Sequence, residues 1–93
     1  MATPEGKVKA KISALLKTHE PALWYYMPVQ NGMGKAVLDY IGFDHGRGFA
    51  IEAKAPGEEP TDRQNTTIRD MVASGAKVFV IDGDLTELED WLI

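Results

Sequence analysis

The apolar residues of this chain change their period along its length, and that change lays out the elements. From Glu5 to about Thr18, Val8, Ile12, Leu15 and Leu16 form one helical stripe, with Lys7, Lys9, Lys11 and Lys17 mostly off it. Pro21 closes this segment. Leu23-Trp-Tyr-Tyr-Met-Pro-Val29 has the aromatic content of a strand, and Pro28 places it at a sheet edge. Gln30-Asn-Gly-Met-Gly34 reads as a turn. Two apolar runs, Val37–Asp44 and Phe49–Lys54, then flank His45-Gly-Arg-Gly48 and predict a hairpin. Ala55–Pro60 holds two prolines and is a loop. Thr61 opens a second helix with Ile68, Met71 and Val72 on one side, ended by Gly75. Lys77–Ile81 is a continuous apolar strand of the kind covered on both faces. Asp84 or Thr86 caps a short acidic helix that runs into Trp91-Leu-Ile93.

The predicted order is α-β-β-β-α-β-α, an α/β or α+β arrangement with one mixed sheet flanked by helices. The strand–helix–strand unit from 49 to 81 predicts a right-handed crossover that makes the last strand parallel to its partner. With 93 residues, no internal repeat and no long linker, the chain reads as a single domain spanning 1–93.

The hairpin carries charges that apolar packing alone does not explain: Asp39, Glu52 and Lys54. Burying a charge is costly unless it meets an opposite charge or a metal. A Gly46-Arg47 turn would set Asp39 opposite Lys54 and Glu52 opposite Ile41, and strand alternation then gathers Asp39, Glu52 and Lys54 on one face. Asp44 has the other parity and points away. A three-residue loop would scatter the cluster, because a one-residue slip moves side chains to the other face. Two carboxylates and the backbone carbonyl of Ala53 suit a hard divalent cation such as magnesium, which keeps several waters. The alternative on spacing alone is a plain Asp39–Lys54 ion pair, with Glu52 solvated on an open sheet face.

Composition narrows the chemistry. The chain has no cysteine, which excludes disulfides, a thiolate zinc site and a cysteine nucleophile. No apolar run approaches the roughly 20 residues of a membrane span, and the N-terminal sequence lacks an apolar signal-peptide stretch, so a cytoplasmic location is expected. The net charge of −4 hides a separation. Residues 1–54 hold seven Lys/Arg against five Asp/Glu, and residues 55–93 hold three against nine. One face can therefore meet an anionic partner while the whole stays acidic. His19 and His45 look like a helix-end and a turn residue, and no role is assigned to either.

These residues resemble the PD-(D/E)XK nuclease superfamily, which has an αβββαβ core with an aspartate on one strand and Glu-x-Lys on the next. Here the elements are Asp39 and Glu52-Ala53-Lys54. The chain is more narrowly similar to the virus-type replication-repair nuclease branch, VRR-NUC. It has Gly32 and Gly34 before the aspartate, Glu52-Ala-Lys-Ala-Pro56, Gln64 early in the second helix, and Ser74-Gly75 leading into the last strand. The likeness covers about residues 5–92. It departs at Leu38, where the superfamily's name expects proline.

The resemblance implies a DNA endonuclease using Mg²⁺ or Mn²⁺, with Asp39, Glu52 and the Ala53 carbonyl as ligands. Lys54 would position the hydrolytic water or stabilise the phosphate, and Gln64 would support Lys54. Gln64 is also placed to form a capping box with Thr61. Glu5, on the inward stripe of the first helix, would reach metal-bound water, or simply favour the helix N-terminus. Lys7, Lys11, Lys35 and Arg47 are candidates for DNA phosphates, giving salt-dependent binding. Branched DNA such as a Holliday junction is the expected substrate. A homodimer would supply two sites, with Trp24, Trp91, Leu92 and Ile93 as candidate apolar interface residues. The competing reading is a non-catalytic nucleic-acid-binding or assembly module on the same fold. A phage or mobile-element source fits a nuclease domain of this size.

Overall fold

The computed structural model describes residues 2–30 and 34–93. Its elements are α1 (Pro4–Lys17), β1 (Leu23–Tyr26), β2 (Tyr40–Asp44), β3 (Arg47–Ala53), α2 (Asp62–Ala73), β4 (Lys77–Ile81) and α3 (Thr86–Trp91). Gly32, part of the predicted glycine approach, and the centre of the predicted 30–34 turn lie outside the described residues. The four strands form one sheet in the order β1-β2-β3-β4, antiparallel except for the parallel β3–β4 pair. Among the described residues the chain is thus an α/β protein with a mixed sheet and three helices. Among the described residues no helix is long and apolar enough to cross a membrane.

Strand alternation divides the sheet into two unlike faces. Tyr40, Phe49, Ile51, Ala53, Phe79 and Ile81 pack with Val8, Ile12 and Leu16 of α1 and with Leu88 of α3, forming the hydrophobic core. The stripe predicted for the first helix is therefore its buried face. Thr3 caps α1 by accepting the Gly6 N–H at 2.9 Å. The opposite sheet face, which holds Glu52, meets α2. That helix buries none of its residues, and Trp24, Tyr26, Phe43 and Val80 remain exposed beyond it.

The hairpin register differs from the expected one by two residues. Asp44 pairs with Arg47 and Tyr40 with Ile51, so the turn is His45-Gly46. His45 (φ 51°) and Gly46 (φ 80°) both adopt the left-handed region. Positive φ at both turn positions matches the twist of the flanking strands, and with the turn at His45-Gly46 Arg47 becomes the first residue of β3. Because the slip is even, face parity survives: Asp39 stays on the face of Glu52, and continuing the ladder sets those two opposite one another. β2 itself starts only at Tyr40. The Ala53 N–H, which a longer ladder would give to Leu38, instead donates to Asp39 Oδ2 at 2.8 Å. Gly42 is needed for another reason. A Cβ there would lie 2.2 Å from the Trp24 carbonyl oxygen of the neighbouring strand.

Two expected surface residues pack inward, Trp91 in part and Leu92 fully. Trp91 sits edge-on to Phe49 and Phe79, and Leu92 is buried with the core. Both follow from α3 packing its apolar side onto the sheet, whereas Trp24 and Ile93 are exposed as expected. α3 has Leu85 as its N-cap residue without a side-chain cap bond, while Asp84 Oδ1 accepts the Thr86 N–H at 2.9 Å and its hydroxyl at 2.7 Å.

At the hairpin end Asp44 is completely buried. It accepts from Arg47 Nη2 at 2.7 Å, from the Ile93 N–H at 3.0 Å, and contacts His45 Nδ1 at 2.8 Å. Burial pushes its carboxyl pKa up, but Ile93, Arg47 and His45 together hold it below the usual value. Arg47 also donates to the Trp91 carbonyl at 2.8 Å and lies 3.8 Å above the Trp91 ring. Asp44→Ala is expected to lower stability by about 1–3 kcal/mol in urea unfolding, because the side chains and the Ile93 N–H that it gathers lose their shared acceptor at a fully buried position. Arg47→Met should cost less than Asp44→Ala, since two partners of Asp44 persist.

Candidate functional site

The site begins where β3 runs out. Glu52 sits on the strand, Ala53 ends it, and Lys54 continues the direction with its N–H donating to the Ile81 carbonyl at 2.9 Å. Glu52 and Lys54 are two apart, so their side chains leave the same sheet face. Lys54 Nζ lies 3.4 Å from Glu52 Oε2. Both are buried, at 3% and 8% exposure, which a solvated Glu52 would not be. The Asp39–Lys54 pairing weighed on spacing is replaced by Glu52–Lys54.

Gln64 reaches this carboxylate from α2. Its Oε1 accepts the Thr61 N–H at 2.9 Å, Thr61 Oγ1 accepts the Gln64 N–H at 3.2 Å, and its Nε2 donates to Glu52 Oε2 at 2.9 Å. The residue therefore closes the capping box and holds the site at once, through Glu52 directly rather than through Lys54. Glu52 Oε1 is buried and has no hydrogen-bond partner among the described residues. Desolvation, then the negative charge of Asp39, raise the Glu52 pKa to about 7 against the opposing pull of Lys54.

Asp39 precedes β2, with Oδ2 on the Ala53 N–H and Oδ1 3.4 Å from Lys9 Nζ. Lys9 also lies 3.3 Å from Glu5 Oε2. Burial alone would lower the Lys9 pKa, yet Asp39 and Glu5 raise it above its ordinary value. Glu5 is thus joined to the site through Lys9. Among the described residues no three His, Cys, Asp or Glu side chains stand close enough to hold a metal by themselves, so a cation here would rely on two carboxylates and backbone oxygen.

A cleft of about 430 Å³ adjoins Gln64 and is lined by Lys35, Val37, Thr61 and Arg63 among others. Its wall is tied to α2: Arg63 Nη2 donates to the Gly34 carbonyl at 2.6 Å, and Thr67 Oγ1 to the Ala36 carbonyl at 2.7 Å. Gln30 donates to the Val37 carbonyl as well. These ties fix the approach to Asp39 against the helix that carries Gln64. Lys35 is exposed at the cleft, and Lys7 and Lys11 are exposed on α1. Arg47 is elsewhere, on the opposite sheet face, with its guanidinium engaged by Asp44 and Trp91.

Sequence reasoning missed Lys9, Arg63 and Thr67. The Glu5–Lys9 spacing of one helical turn was a readable signal for the first. The other two bind backbone carbonyls of an irregular segment, which no pattern announces. Compared with protein-family models, with curated proteins and with solved structures, the chain matches none.

The raised Glu52 pKa has a signed consequence. Between the ordinary carboxyl value of 4.5 and about 7, the folded protein holds a proton that the unfolded chain has lost. Stability therefore falls as pH rises through that window. Without divalent cations, urea unfolding should show a loss on the order of 2–3 kcal/mol from Glu52 between pH 5 and pH 8. Glu52→Gln should remove that part of the slope.

Proposed function

We propose that this chain is a divalent-cation-dependent phosphodiesterase acting on DNA, built on a PD-(D/E)XK core of the VRR-NUC kind. The observation that carries the reading is Glu52: a buried carboxylate held by Lys54 and Gln64, with one oxygen left without a donor. A buried acceptor of this kind is costly unless something positive completes it. Asp39, on the same face, supplies the second anionic group. The donor set is all oxygen and small in number, which fits Mg²⁺ or Mn²⁺.

Asp39, Glu52 and the Ala53 carbonyl would hold the ion. When bound, it supplies Lewis-acid polarisation of a phosphoryl oxygen and a more acidic water. The chain's own groups do the rest. Gln64 fixes the rotamer of Glu52 through one amide end, while the other end is locked to the helix cap. Lys54 presents an ammonium from a water-poor position, where it stabilises negative charge developing on phosphate more strongly than it would in bulk water. Its pairing with Glu52 keeps that ammonium aimed into the site. Lys7, Lys11 and Lys35 offer cations on the surface for flanking phosphates, and the Lys35–Arg63 cleft lies beside Gln64.

One site cuts one strand, so cleavage of branched DNA such as a Holliday junction calls for a two-fold dimer. Trp24, Phe43 and Ile93 are among the exposed apolar residues available for such contact. The purified protein should cut a labelled four-way junction in Mg²⁺ or Mn²⁺. Lys54→Met should lower the rate by about 100- to 1000-fold, and Glu52→Gln should abolish cutting, with circular dichroism unchanged for both. Junction binding without any cleavage would favour the non-catalytic module. Cleavage that survives both substitutions would sink the mechanism.

A further inference from the structure

At its α1 side the site holds a half-buried cation, Lys9, that answers two carboxylates. Glu5 and Lys9 are four residues apart, so the helix brings their side chains together. An exposed pair of this spacing is ordinarily worth little. Here the ammonium has a second contact, to Asp39, whose side chain is only 13% exposed, against 31% for Lys9. The other oxygen of Asp39 is taken by the Ala53 N–H at 2.8 Å. Lys9 therefore covers the Asp39 oxygen that is not committed to the backbone.

The arrangement on the two sides of the site is unequal. Lys54 neutralises Glu52 through Oε2 and leaves Oε1 without a partner. Lys9 neutralises Asp39 through the one oxygen otherwise open to a ligand. The Lys54 ammonium is deeply buried beside β3, whereas Lys9 hangs from a helix surface on a flexible stem. Of the two, Lys9 is the one that can leave.

We propose that Lys9 is a built-in competitor for the divalent cation, covering Asp39 until an incoming ion displaces it. The proposal rests on the metal-site reading given above. Lys9 is thus a positioning residue that sets the occupancy threshold of the site without touching substrate. Displacement has an electrostatic cost, since one positive charge must move aside for another. At separations of several ångströms and the effective dielectric of a protein surface, removing the Lys9 charge should tighten cation binding by about tenfold.

The test is calorimetric titration of MnCl₂ into the wild-type chain and into Lys9→Met, Lys9→Gln and Lys9→Arg, with the fold of each checked by circular dichroism. Met keeps the stem and removes the charge, Gln guards against a folding defect specific to Met, and Arg retains the charge. Tighter Mn²⁺ binding by the Met and Gln variants, with Arg near wild type, is the expected result. Folded Met and Gln variants that bind Mn²⁺ no more tightly than wild type overturn the role of Lys9 while leaving the metal site standing. Variants that lose stability without a gain in affinity give Lys9 a purely structural part, which also overturns it. No Mn²⁺ binding by any of the four proteins overturns the metal-site reading itself, and this inference with it.

Discussion

The constraint around which this small protein is arranged is the burial of the Glu52 carboxylate. A charge removed from water at the end of a central strand must be answered by groups from several directions. Lys54 answers from just past the same strand, and Gln64 from a helix that Arg63 and Thr67 also tie to the approach to Asp39. Since Gln64 also closes the capping box, one side chain couples the start of α2 to the carboxylate. The position of the helix and the geometry of the site are one problem with one solution.

The same hairpin holds a second buried acid, and the contrast between the two is instructive. Asp44 collects an arginine, a histidine and a backbone N–H, and its pKa is lowered. Glu52 has two donors on one oxygen and none on the other, and its pKa is raised. Burial alone pushes both in one direction. Hydrogen-bond satisfaction separates them: Asp44 is a fastening that locks the C-terminal segment to the turn, while Glu52 retains unmet demand for positive charge.

Much of this was legible in the residues. Helical spacing identified the buried stripe Val8, Ile12 and Leu16, and alternation placed Asp39 with Glu52 and Lys54 and sent Asp44 to the other side. The turn position was missed because Gly46-Arg47 and His45-Gly46 satisfy the same parity. Only the backbone conformation of His45, which its side chain does not announce, separates them. Trp91 and Leu92 were misplaced for a related reason. A terminal apolar run reads alike whether it faces water or folds back under an arginine. Lys9 was visible as a helix-surface lysine, but its contact with Asp39 joins residues far apart in sequence and depends on how α1 packs against the sheet.

The thin attachment of α2 bears on how the protein breathes. α1 and α3 are anchored by side chains sunk in the core, whereas α2 contributes no buried residue and is held by a few hydrogen bonds and the half-buried Ile68 and Met71. In a structure with such uneven anchoring, the least stabilised unit opens first. The amides of α2 should therefore exchange with solvent through excursions that leave β3 and its amides protected. Each excursion withdraws Gln64 from Glu52 while the strand keeps Glu52 and Lys54 in place. The carboxylate and the ammonium thus belong to the sheet, while the amide that covers one oxygen of Glu52 belongs to the helix with the shallowest anchoring.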